Sequence, residues 1–454
     1  MSTTIELPLW LFILVMLLAA VTFLSRLLVP SVRWFFRRRM ERFVSDLNQR
    51  LPRPIEPFRL ARRFDTVQRL TYDSAVLDAV EEHAAQEGIP KDVALERANA
   101  YAREIVPSFA ATLYFRVAIR AARALSKFLY AVKLDRDSAA VIDQIDPEAT
   151  VIFVMNHRSN MDYVLVTYLV ADNSAPSYAV GEWARIWPLS SLIRAMGAYF
   201  IRRRSRNDLY RRVLARYVQI ATEAGVTQAV FPEGGLSLDG RTAPAKLGLL
   251  SYIVSGFDQE RSRDVVFVPV ALAYDRVLED RVLTEAAARG ARRFRASIPT
   301  AVWFAVRYLW GRIVGSKARF GTAGVRFGVP LSLREHLSRA SEPALEALGE
   351  ALTTRIDAAM PVLPVPVVAS ILEQHAGVLA RDHLVSQAVA MLSTVEGAAF
   401  NGTPQAAIES ALDALLRREI LVETGAGIAY APGQAAIAAF YAASIQAKNG
   451  NNPR

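Results

Sequence analysis

The sequence predicts an α/β fold with a mostly parallel sheet flanked by helices, together with an N-terminal membrane anchor and helical N- and C-terminal regions. Between residues 146 and 335, short apolar stretches rich in β-branched and aromatic residues alternate with segments of helical periodicity. This alternation is typical of parallel strands joined by crossover helices. The chain also opens with an uncharged apolar stretch and closes with an alanine-rich region.

The first element is the uncharged stretch at residues 7–24. As a helix it would span roughly 27 Å, close to the hydrocarbon thickness of a bilayer. Arginines follow it at positions 26, 33, 37, 38, 39 and 42, and no small-residue cleavage site appears, so it is interpreted as an uncleaved anchor. Residues 1–42 are therefore predicted to form a transmembrane anchor and basic collar. By the positive-inside rule the rest of the chain would face the cytoplasm at the inner cell membrane. The alternative is a buried core helix.

Composition limits the chemistry that the chain can perform. The net charge is +10, there is no cysteine, and there are five scattered histidines. Disulfides, thiolate nucleophiles and cysteine-ligated metals are thereby excluded, and neither a metal site nor a cofactor is expected. No nucleic-acid-binding signature accompanies the basic charge, so a phospholipid membrane is the expected partner rather than a nucleic acid.

Residues 43–145 are predicted to be mainly helical. Within them, residues 107–133 carry Arg116, Arg120, Arg123 and Lys127 at helical spacing among apolar residues. Such an amphipathic basic helix could lie on a membrane, or it could be an ordinary packed helix with a solvated basic face.

Residues 146–335 are predicted to form the α/β domain. Its expected strands are 150–155, 227–231, 265–273 and 324–327, and its expected helices are 162–171, 189–196 and 208–224. An aromatic segment at 301–314 suits either a membrane-interface helix or a core helix. Residues 336–454 are predicted to be helical, with a proline-rich break at 361–367 and a disordered tail.

A histidine and an aspartate follow the first of these strands. His157 lies in the strand-to-helix turn, at the sheet edge where α/β folds place their sites. Ser159 and Asp162 have the spacing of a capping box that opens the next helix. An imidazole held by a carboxylate can remove a proton from an alcohol. The alternative is a loop histidine beside a capping aspartate.

Three later segments carry further candidate site residues. An apolar stretch ends in Arg202 and Arg203, which could bind a phosphate or could only mark a solvated strand end. A second stretch, VFPEGGLSLDGRTAPAKLG at 230–248, contains a turn that could approach a ligand closely, or bind none. Its candidate residues are Glu233, Gly234, Gly235, Ser237, Arg241 and Lys246. Pro269, inside an apolar strand, predicts an edge strand or a bulge near a site.

In this order and spacing, the segments resemble the blocks of the glycerolipid acyltransferase superfamily. His157 and Asp162 match its H-x-x-x-x-D box, and Phe200-Ile201-Arg202-Arg203 match its second block. Glu233-Gly234 and Val268-Pro269 match the third and fourth. Within the superfamily, the chain resembles the bacterial glycerol-3-phosphate acyltransferases over residues 105–446. The resemblance lies in the motifs H-R-S-x-x-D-Y, GAYFIRR and E-G-G-x-S-x-x-G-R and in the helical C-terminal region that ends AAFYAASIQ.

The resemblance implies direct transfer of a fatty acyl group from acyl-CoA or acyl-carrier protein to the sn-1 hydroxyl of glycerol 3-phosphate, giving lysophosphatidate. His157 would act as general base and Asp162 would hold the imidazole. The other candidate residues would bind substrate, with Glu233 as a ligand of the acceptor hydroxyl or a structural support. Backbone amides at the start of the Ser159 helix or in the Gly234-Gly235 turn would hold the oxyanion.

The chain departs from the family at Leu236 and Leu238, where arginines are usual. Phosphate binding would then depend on Arg202, Arg203, Arg241 and Lys246. Two alternatives stay open: an acyltransferase for lysophosphatidate or another lyso-lipid, which the leucines favour, and a non-catalytic membrane scaffold, which the presence of both His157 and Asp162 opposes.

Overall fold

The computed structural model describes residues 41–446 apart from 172–173, 182–188, 203–204, 206, 291–310, 312–318 and 340–343, together with residues 8–10, 13–14, 16–18, 38 and 39. Met1–Pro54 and Ile55–Arg454 are two separate units. Among the described residues, no helix is both long and apolar enough to cross a membrane. Most of the predicted anchor, most of segment 301–314 and the tail after residue 446 lie outside the described residues.

Eleven strands are present in the described part of the second unit. They are β1 (Ala131–Leu134), β2 (Thr150–Met155), β3 (Ser177–Val180), β4 (Tyr199–Phe200), β5 (Gln228–Val230), β6 (Val265–Tyr274), β7 (Thr322–Phe327), β8 (Leu331–Ser332), β9 (Val378–Leu379), β10 (Leu421–Thr424) and β11 (Gly427–Tyr430).

The first eight strands form one sheet in the order β1-β7-β6-β2-β5-β3-β4, and β8 pairs with β6. Five ladders are parallel, while β7 and β8 run antiparallel to β6. The mostly parallel sheet is thereby confirmed, as are the four predicted strands to within a few residues. The two central strands, β2 and β6, are buried along their whole length.

Helices surround this sheet. In chain order they are α1 (Pro57–Leu60), α2 (Arg63–Thr71), α3 (Ser74–Glu87), α4 (Lys91–Ile105), α5 (Ala111–Leu113), α6 (Ile119–Leu129), α7 (Arg136–Ala139), α8 (Met161–Leu169), α9 (Leu189–Ala195), α10 (Asp208–Glu223), α11 (Gly248–Ser255), α12 (Asp280–Ala288), α13 (Leu333–Arg339), α14 (Ala344–Ala358), α15 (Pro364–Gln374), α16 (Arg381–Thr394), α17 (Pro404–Arg417) and α18 (Ala435–Ala443). A π-helical turn (Tyr114–Ala118) joins α5 to α6, and a 3-10 turn (Ala140–Ile142) follows α7.

The strands bury side chains on both faces of the sheet. In β2, Val151, Phe153 and Met155 belong to one hydrophobic cluster, while Ile152 and Val154 belong to another. Successive side chains of a strand point to opposite faces. A strand that is buried on both faces therefore has helices packed on both sides, as in α/β folds generally.

One domain boundary and the content of one region differ from the prediction. The predicted α/β domain begins at residue 146, but β1 already joins the sheet at Ala131–Leu134 by parallel pairing with β7. This strand is short and only partly buried, so its sequence lacks a continuous apolar run. The C-terminal region, predicted to be helical, also contains the antiparallel sheet β10-β11-β9.

Of the two alternatives predicted for Pro269, the edge strand is wrong because β6 has strand neighbours on both sides, and the unbroken register with β2 through Pro269 contains no bulge. Pro269 pairs with Val154 in the interior of the sheet, and its carbonyl accepts a hydrogen bond of 2.8 Å from the Gly328 amide. The N–H and C=O of a strand residue point to the same side. The N–H that proline lacks therefore faces the loop between β7 and β8, where no ladder hydrogen bond is needed.

Candidate active site

Asn156 directly follows β2 and lets the backbone leave the sheet. Its side-chain amide donates to the Leu272 carbonyl at 2.8 Å and accepts from the Leu272 amide at 2.7 Å. The side chain thus replaces a strand neighbour for β6 at the point where β2 stops. His157, the next residue, is free to enter the turn without leaving buried backbone groups unpaired.

His157 and Asp162 form a hydrogen-bonded pair. The His157 Nδ1 lies 2.9 Å from the Asp162 Oδ2, and the two residues are 3% and 0% exposed. Because a carboxylate only accepts, Nδ1 is the donor, and in the neutral imidazole Nε2 then keeps its lone pair. Within the described part of the chain, no hydrogen bond reaches Nε2. The turn between β2 and α8 thus presents one basic nitrogen.

Asp162 makes four hydrogen bonds through its carboxylate. Besides His157, its Oδ2 accepts from the backbone amides of Arg158 at 2.8 Å and Ser159 at 3.0 Å. Its Oδ1 accepts from the Tyr274 hydroxyl at 2.6 Å. A carboxylate removed from water is tolerated only with such partners. The bond from the Ser159 amide is half of the predicted capping box.

The cap itself differs from the prediction. The N-cap of α8 is Asn160 rather than Ser159, and the Ser159 hydroxyl accepts from the Met161 amide at 3.1 Å. Glu279, which follows β6, accepts from the Ser159 hydroxyl at 2.8 Å and the Asn160 amide at 3.3 Å. The helix start is therefore tied to the neighbouring central strand.

Aromatic rings fix the imidazole plane of His157. The Phe231 ring stacks on it with centroids 4.1 Å apart, and the Tyr163 ring meets it edge-on at 5.5 Å. Phe231 directly follows β5, the parallel neighbour of β2. An aromatic face stabilises the cationic form of a stacked ring, which suits an imidazole that takes up a proton during a reaction.

Glu233 holds the backbone of the site through two hydrogen bonds. One of its oxygens accepts from the His157 amide at 2.9 Å and the other from the Ala243 amide at 3.2 Å. Burial raises its pKa to about 7, and the nearby Arg158 guanidinium opposes the shift. Because both carboxylate oxygens accept from backbone amides, the geometry favours a structural role for Glu233 over contact with an acceptor hydroxyl.

Glu233 gives a testable dependence of stability on pH. Since folding raises its pKa from 4.5 to about 7, the native state binds more protons than the unfolded chain in this interval. The free energy of unfolding should therefore fall as the pH rises through it, by roughly 3 kcal/mol. Thermal unfolding at pH 5 and pH 8 should show a smaller difference for Glu233→Gln than for wild type. If the two proteins show equal differences in stability between pH 5 and pH 8, the raised pKa of Glu233 is contradicted.

The Gly234-Gly235 turn lies beside Lys246. Gly234 has φ +65°, and a β-carbon there would lie 2.9 Å from Cδ and 3.1 Å from Nζ of Lys246. The Lys246 amide donates to the Pro232 carbonyl at 2.8 Å. The left-handed backbone angle therefore favours glycine at position 234, and the Lys246 side chain packs directly on the turn.

Ser237 and Arg241 shape the following loop. The Ser237 amide donates to the His157 carbonyl at 2.8 Å, and its hydroxyl donates to the Arg241 carbonyl at 2.7 Å. The Arg241 side chain is exposed. Arg158, which is buried, donates to the Gly240 carbonyl and to the Ser237 hydroxyl. Ser237 thus joins this loop to His157 of the His157–Asp162 pair, which is called the dyad below.

Arg202 is already paired within the protein. Its guanidinium donates to both carboxylate oxygens of Glu104, at 2.8 and 2.6 Å, and its Cζ lies 5.3 Å from the Tyr101 ring centroid. A phosphate at Arg202 would compete with this ion pair. Arg203 lies outside the described residues. Among the described candidates, the structure brings together His157, Asp162, Glu233, Gly234, Gly235, Ser237 and Lys246.

Sequence reasoning missed several residues that shape this site. Tyr274 bonds to Asp162 and Glu279 bonds to the turn, while Asn156 bonds to Leu272 of β6 directly before the turn. Only Asn156 carried a local signal, because it directly precedes His157. In the described part of the chain, no cluster of three or more histidine, aspartate or glutamate side chains could hold a metal.

Two family models match the chain in succession. Residues 130–273 match the family described as Acyltransferase, and residues 312–446 match the glycerol-3-phosphate acyltransferase C-terminal region. The first covers β1 to β6 and includes the dyad. The second covers β7, β8 and the C-terminal helices.

Curated bacterial proteins are similar over most of the chain. A glycerol-3-phosphate acyltransferase of Aeromonas hydrophila is 30% identical over 347 residues, covering 70% of this chain and 41% of that protein. One from Pseudomonas savastanoi is 31% identical over 281 residues, covering 61% and 32%. The chain therefore spans less than half the length of these curated relatives.

A solved structure also shows a weak likeness. The crystal structure of the 1-acyl-sn-glycerophosphate (LPA) acyltransferase from Thermotoga maritima is 20% identical, with a TM-score of 0.32 over 53% of this chain and 76% of that one. The assignment depends instead on the two family models and the curated relatives. By these matches, residues 130–273 form a domain of the Acyltransferase family, and residues 312–446 match the C-terminal region of the glycerol-3-phosphate acyltransferases.

Proposed function

We propose that the protein is a membrane-bound glycerol-3-phosphate O-acyltransferase. It would move a fatty acyl group from acyl-CoA or acyl-carrier protein to the sn-1 hydroxyl of glycerol 3-phosphate, giving lysophosphatidate for phospholipid synthesis. The observation that carries this proposal is the buried His157–Asp162 pair, which offers one basic nitrogen beside the Glu-Gly-Gly turn. The names of the curated relatives support the acceptor.

In the proposed reaction, His157 Nε2 removes the proton as the acceptor hydroxyl attacks the thioester carbonyl. Asp162 keeps the proton on Nδ1 and stabilises the imidazolium that forms. The tetrahedral intermediate then expels the thiolate, which takes the proton back from Nε2. One carbon–oxygen bond forms and one carbon–sulfur bond breaks, and neither a cofactor nor a covalent protein intermediate is needed.

The oxyanion would be bound by the Glu-Gly-Gly turn rather than by the start of α8. The Arg158 and Ser159 amides already donate to Asp162, and the Asn160 amide donates to Glu279. The Gly235 amide has no acceptor among the described residues and lies in a partly exposed turn. Backbone donors held in such a place can stabilise the charge that develops in the transition state.

An acceptor panel tests the proposed function. Purified full-length protein would receive an acyl-CoA with glycerol 3-phosphate, with lysophosphatidate, or with no acceptor, and the product lipid would be identified by mass spectrometry. Lysophosphatidate formed from glycerol 3-phosphate is the expected result. Phosphatidate formed from lysophosphatidate alone would overturn the acceptor and retain acyl transfer. Hydrolysis or no reaction with every acceptor would overturn both.

One observation favours the lyso-lipid alternative. Leu236 and Leu238 are partly buried and pack against the larger hydrophobic cluster, so this part of the loop contributes apolar surface where the family usually has cations. The scaffold alternative gains no such support, because a buried pair with four hydrogen bonds to its carboxylate is more than a scaffold requires.

For the acceptor phosphate, Lys246 is the cation that the described loop places on the glycine turn. We expect Lys246→Met to raise the KM for glycerol 3-phosphate about tenfold or more, while kcat and the KM for the thioester change little. A phosphate held alike in ground and transition state contributes uniform binding. Lys133→Met is the control, since that lysine lies in β1. A normal KM in the Lys246 variant would exclude Lys246 as the phosphate ligand.

We further propose that the segment from α5 to α6 lies on the inner membrane, with the anchor at residues 7–24 and the catalytic body on the cytoplasmic side. The chain has no acidic residue between Glu104 and Asp135. The basic residues at 116, 120, 123 and 127 are exposed, and so are Val117 and Leu125. Cations interspersed with exposed apolar residues suit an anionic bilayer surface.

The absence of cysteine allows a direct test of this membrane contact. Leu125→Cys, labelled with an environment-sensitive dye in the full chain, should show a blue-shifted emission in vesicles containing phosphatidylglycerol. A label at Val378→Cys, an exposed position in β9, should not shift. Equal emission at both positions would contradict a membrane contact for this helix.

A further inference from the structure

The Asp162 carboxylate is also hydrogen-bonded by a residue far from it in the chain, Tyr274 of β6. Oδ2 serves His157 and two backbone amides, whereas Oδ1 accepts only from the Tyr274 hydroxyl, at 2.6 Å, among the described residues. This distance is in the range of hydrogen bonds between a hydroxyl and a charged oxygen. Because Asp162 is fully buried, no solvent could replace that donor.

Tyr274 is itself fixed by its surroundings. It is the last residue of β6 and is 3% exposed, and its ring packs against Tyr130 with centroids 5.3 Å apart. The next residue, Asp275, accepts from the Thr322 amide at 2.7 Å and the Val365 amide at 3.0 Å. The strand end is thus tied to β7 and to the start of α15, which limits the positions that the hydroxyl can reach.

Tyr274 also remains a donor under all ordinary conditions. Burial, together with the charge of Asp162, raises the pKa of Tyr274 well above its usual value. The phenol therefore keeps its proton, and the carboxylate is the acceptor. A donor that cannot ionise keeps Asp162 Oδ1 hydrogen-bonded and Oδ2 turned towards the imidazole.

We propose that Tyr274 is a positioning residue for the acyl transfer. By bonding Asp162 Oδ1, it orients the carboxylate and sets the proton affinity of the His157–Asp162 pair. This inference rests on the proposed function and extends it to a residue that touches neither substrate. The C-terminal helices, which hold the backbone next to Tyr274, would influence catalysis through the same bond.

The test compares Tyr274→Phe with wild type. Removing the hydroxyl leaves one oxygen of a buried carboxylate unpaired, so the charged form becomes less favourable and the dyad binds a proton more tightly. The acid limb of the kcat/KM profile should therefore move to higher pH. At the optimum pH, kcat should fall about 10- to 100-fold, while the KM values for both substrates change little.

Tyr130→Phe is the matched control. It is equally buried, packs on Tyr274, and loses a hydroxyl that donates to the Arg276 carbonyl at 2.8 Å. It should keep kcat within about twofold and leave the acid limb in place. An unchanged profile in Tyr274→Phe, or the same displacement in Tyr130→Phe, would overturn the positioning role.

Two further measurements keep the result separate from folding and from the proposed function. Placing 3,5-difluorotyrosine at position 274 retains the ring and makes the hydroxyl a stronger donor, so the acid limb should move to lower pH. An NMR titration of the His157 imidazole without substrate should show the same two opposite displacements. If these appear in a protein that acylates no acceptor, the positioning role stands and the proposed function fails. If the titration is identical in all three proteins, the positioning role fails.

Discussion

Replacing His157 by alanine should lower kcat by about 10²- to 10⁴-fold, the range expected for loss of a positioned general base. The expectation follows from the geometry, in which Nδ1 is bound to Asp162 and Nε2 is the nitrogen left for substrate. The measurement is steady-state acyl transfer to glycerol 3-phosphate, together with thermal unfolding to show that the variant is folded.

His83→Ala serves as the control for loss of a buried histidine. His83 is 7% exposed, and its Nε2 lies 3.4 Å from Arg97 Nη1, within the N-terminal helices. It should retain activity within a few-fold. A folded His157→Ala protein with most of its acyl transfer intact would exclude the general-base mechanism.

Asp162→Asn should cost a comparable factor, about 10²- to 10⁴-fold in kcat, because a neutral amide no longer stabilises the imidazolium and can select the wrong tautomer. The variant should also be less stable, since three N–H groups and one hydroxyl converge on the carboxylate. In the asparagine variant, the side-chain NH2 group would face a hydrogen-bond donor whichever of the two oxygen positions it occupied. The rates of the folded fraction and the unfolding free energy should both be measured.

Asp280→Asn separates these two effects. Asp280 is a buried carboxylate that accepts from the Tyr441 hydroxyl at 2.5 Å and from the Arg418 guanidinium, and it does not bond to His157 or Asp162. The Asp280 variant should lose stability without a matching loss of kcat. A similar rate loss in both variants would mean that Asp162 acts through folding alone.

Local patterns predicted the central part of the fold because the chemistry there is local. A continuous apolar strand must be buried on both faces, and a histidine directly after it must lie at the sheet edge. The parallel neighbours β2 and β5 then bring His157 and the Glu-Gly-Gly turn together. The local sequence is therefore sufficient to place the buried strand in the sheet and His157 at its edge.

Contacts between distant segments explain most of the differences. Glu104 neutralises Arg202 across 98 residues of chain, and Tyr274 reaches Asp162 across 112. Neither pair carries a periodic signal that would join the two segments. For Pro269, the local rule predicts an edge strand or a bulge, whereas the loop between β7 and β8 tolerates its missing N–H inside the sheet.

The most direct test of the proposed mechanism is a single-turnover experiment with protein in excess over a thioester labelled in its acyl chain. Samples quenched in denaturant at successive times would be separated into protein, thioester and lipid. Direct attack by an acceptor hydroxyl activated by His157 predicts that label passes from thioester to lysophosphatidate only when glycerol 3-phosphate is present, without label on the protein at any time. Label that accumulates on the protein and then moves to the acceptor would contradict it.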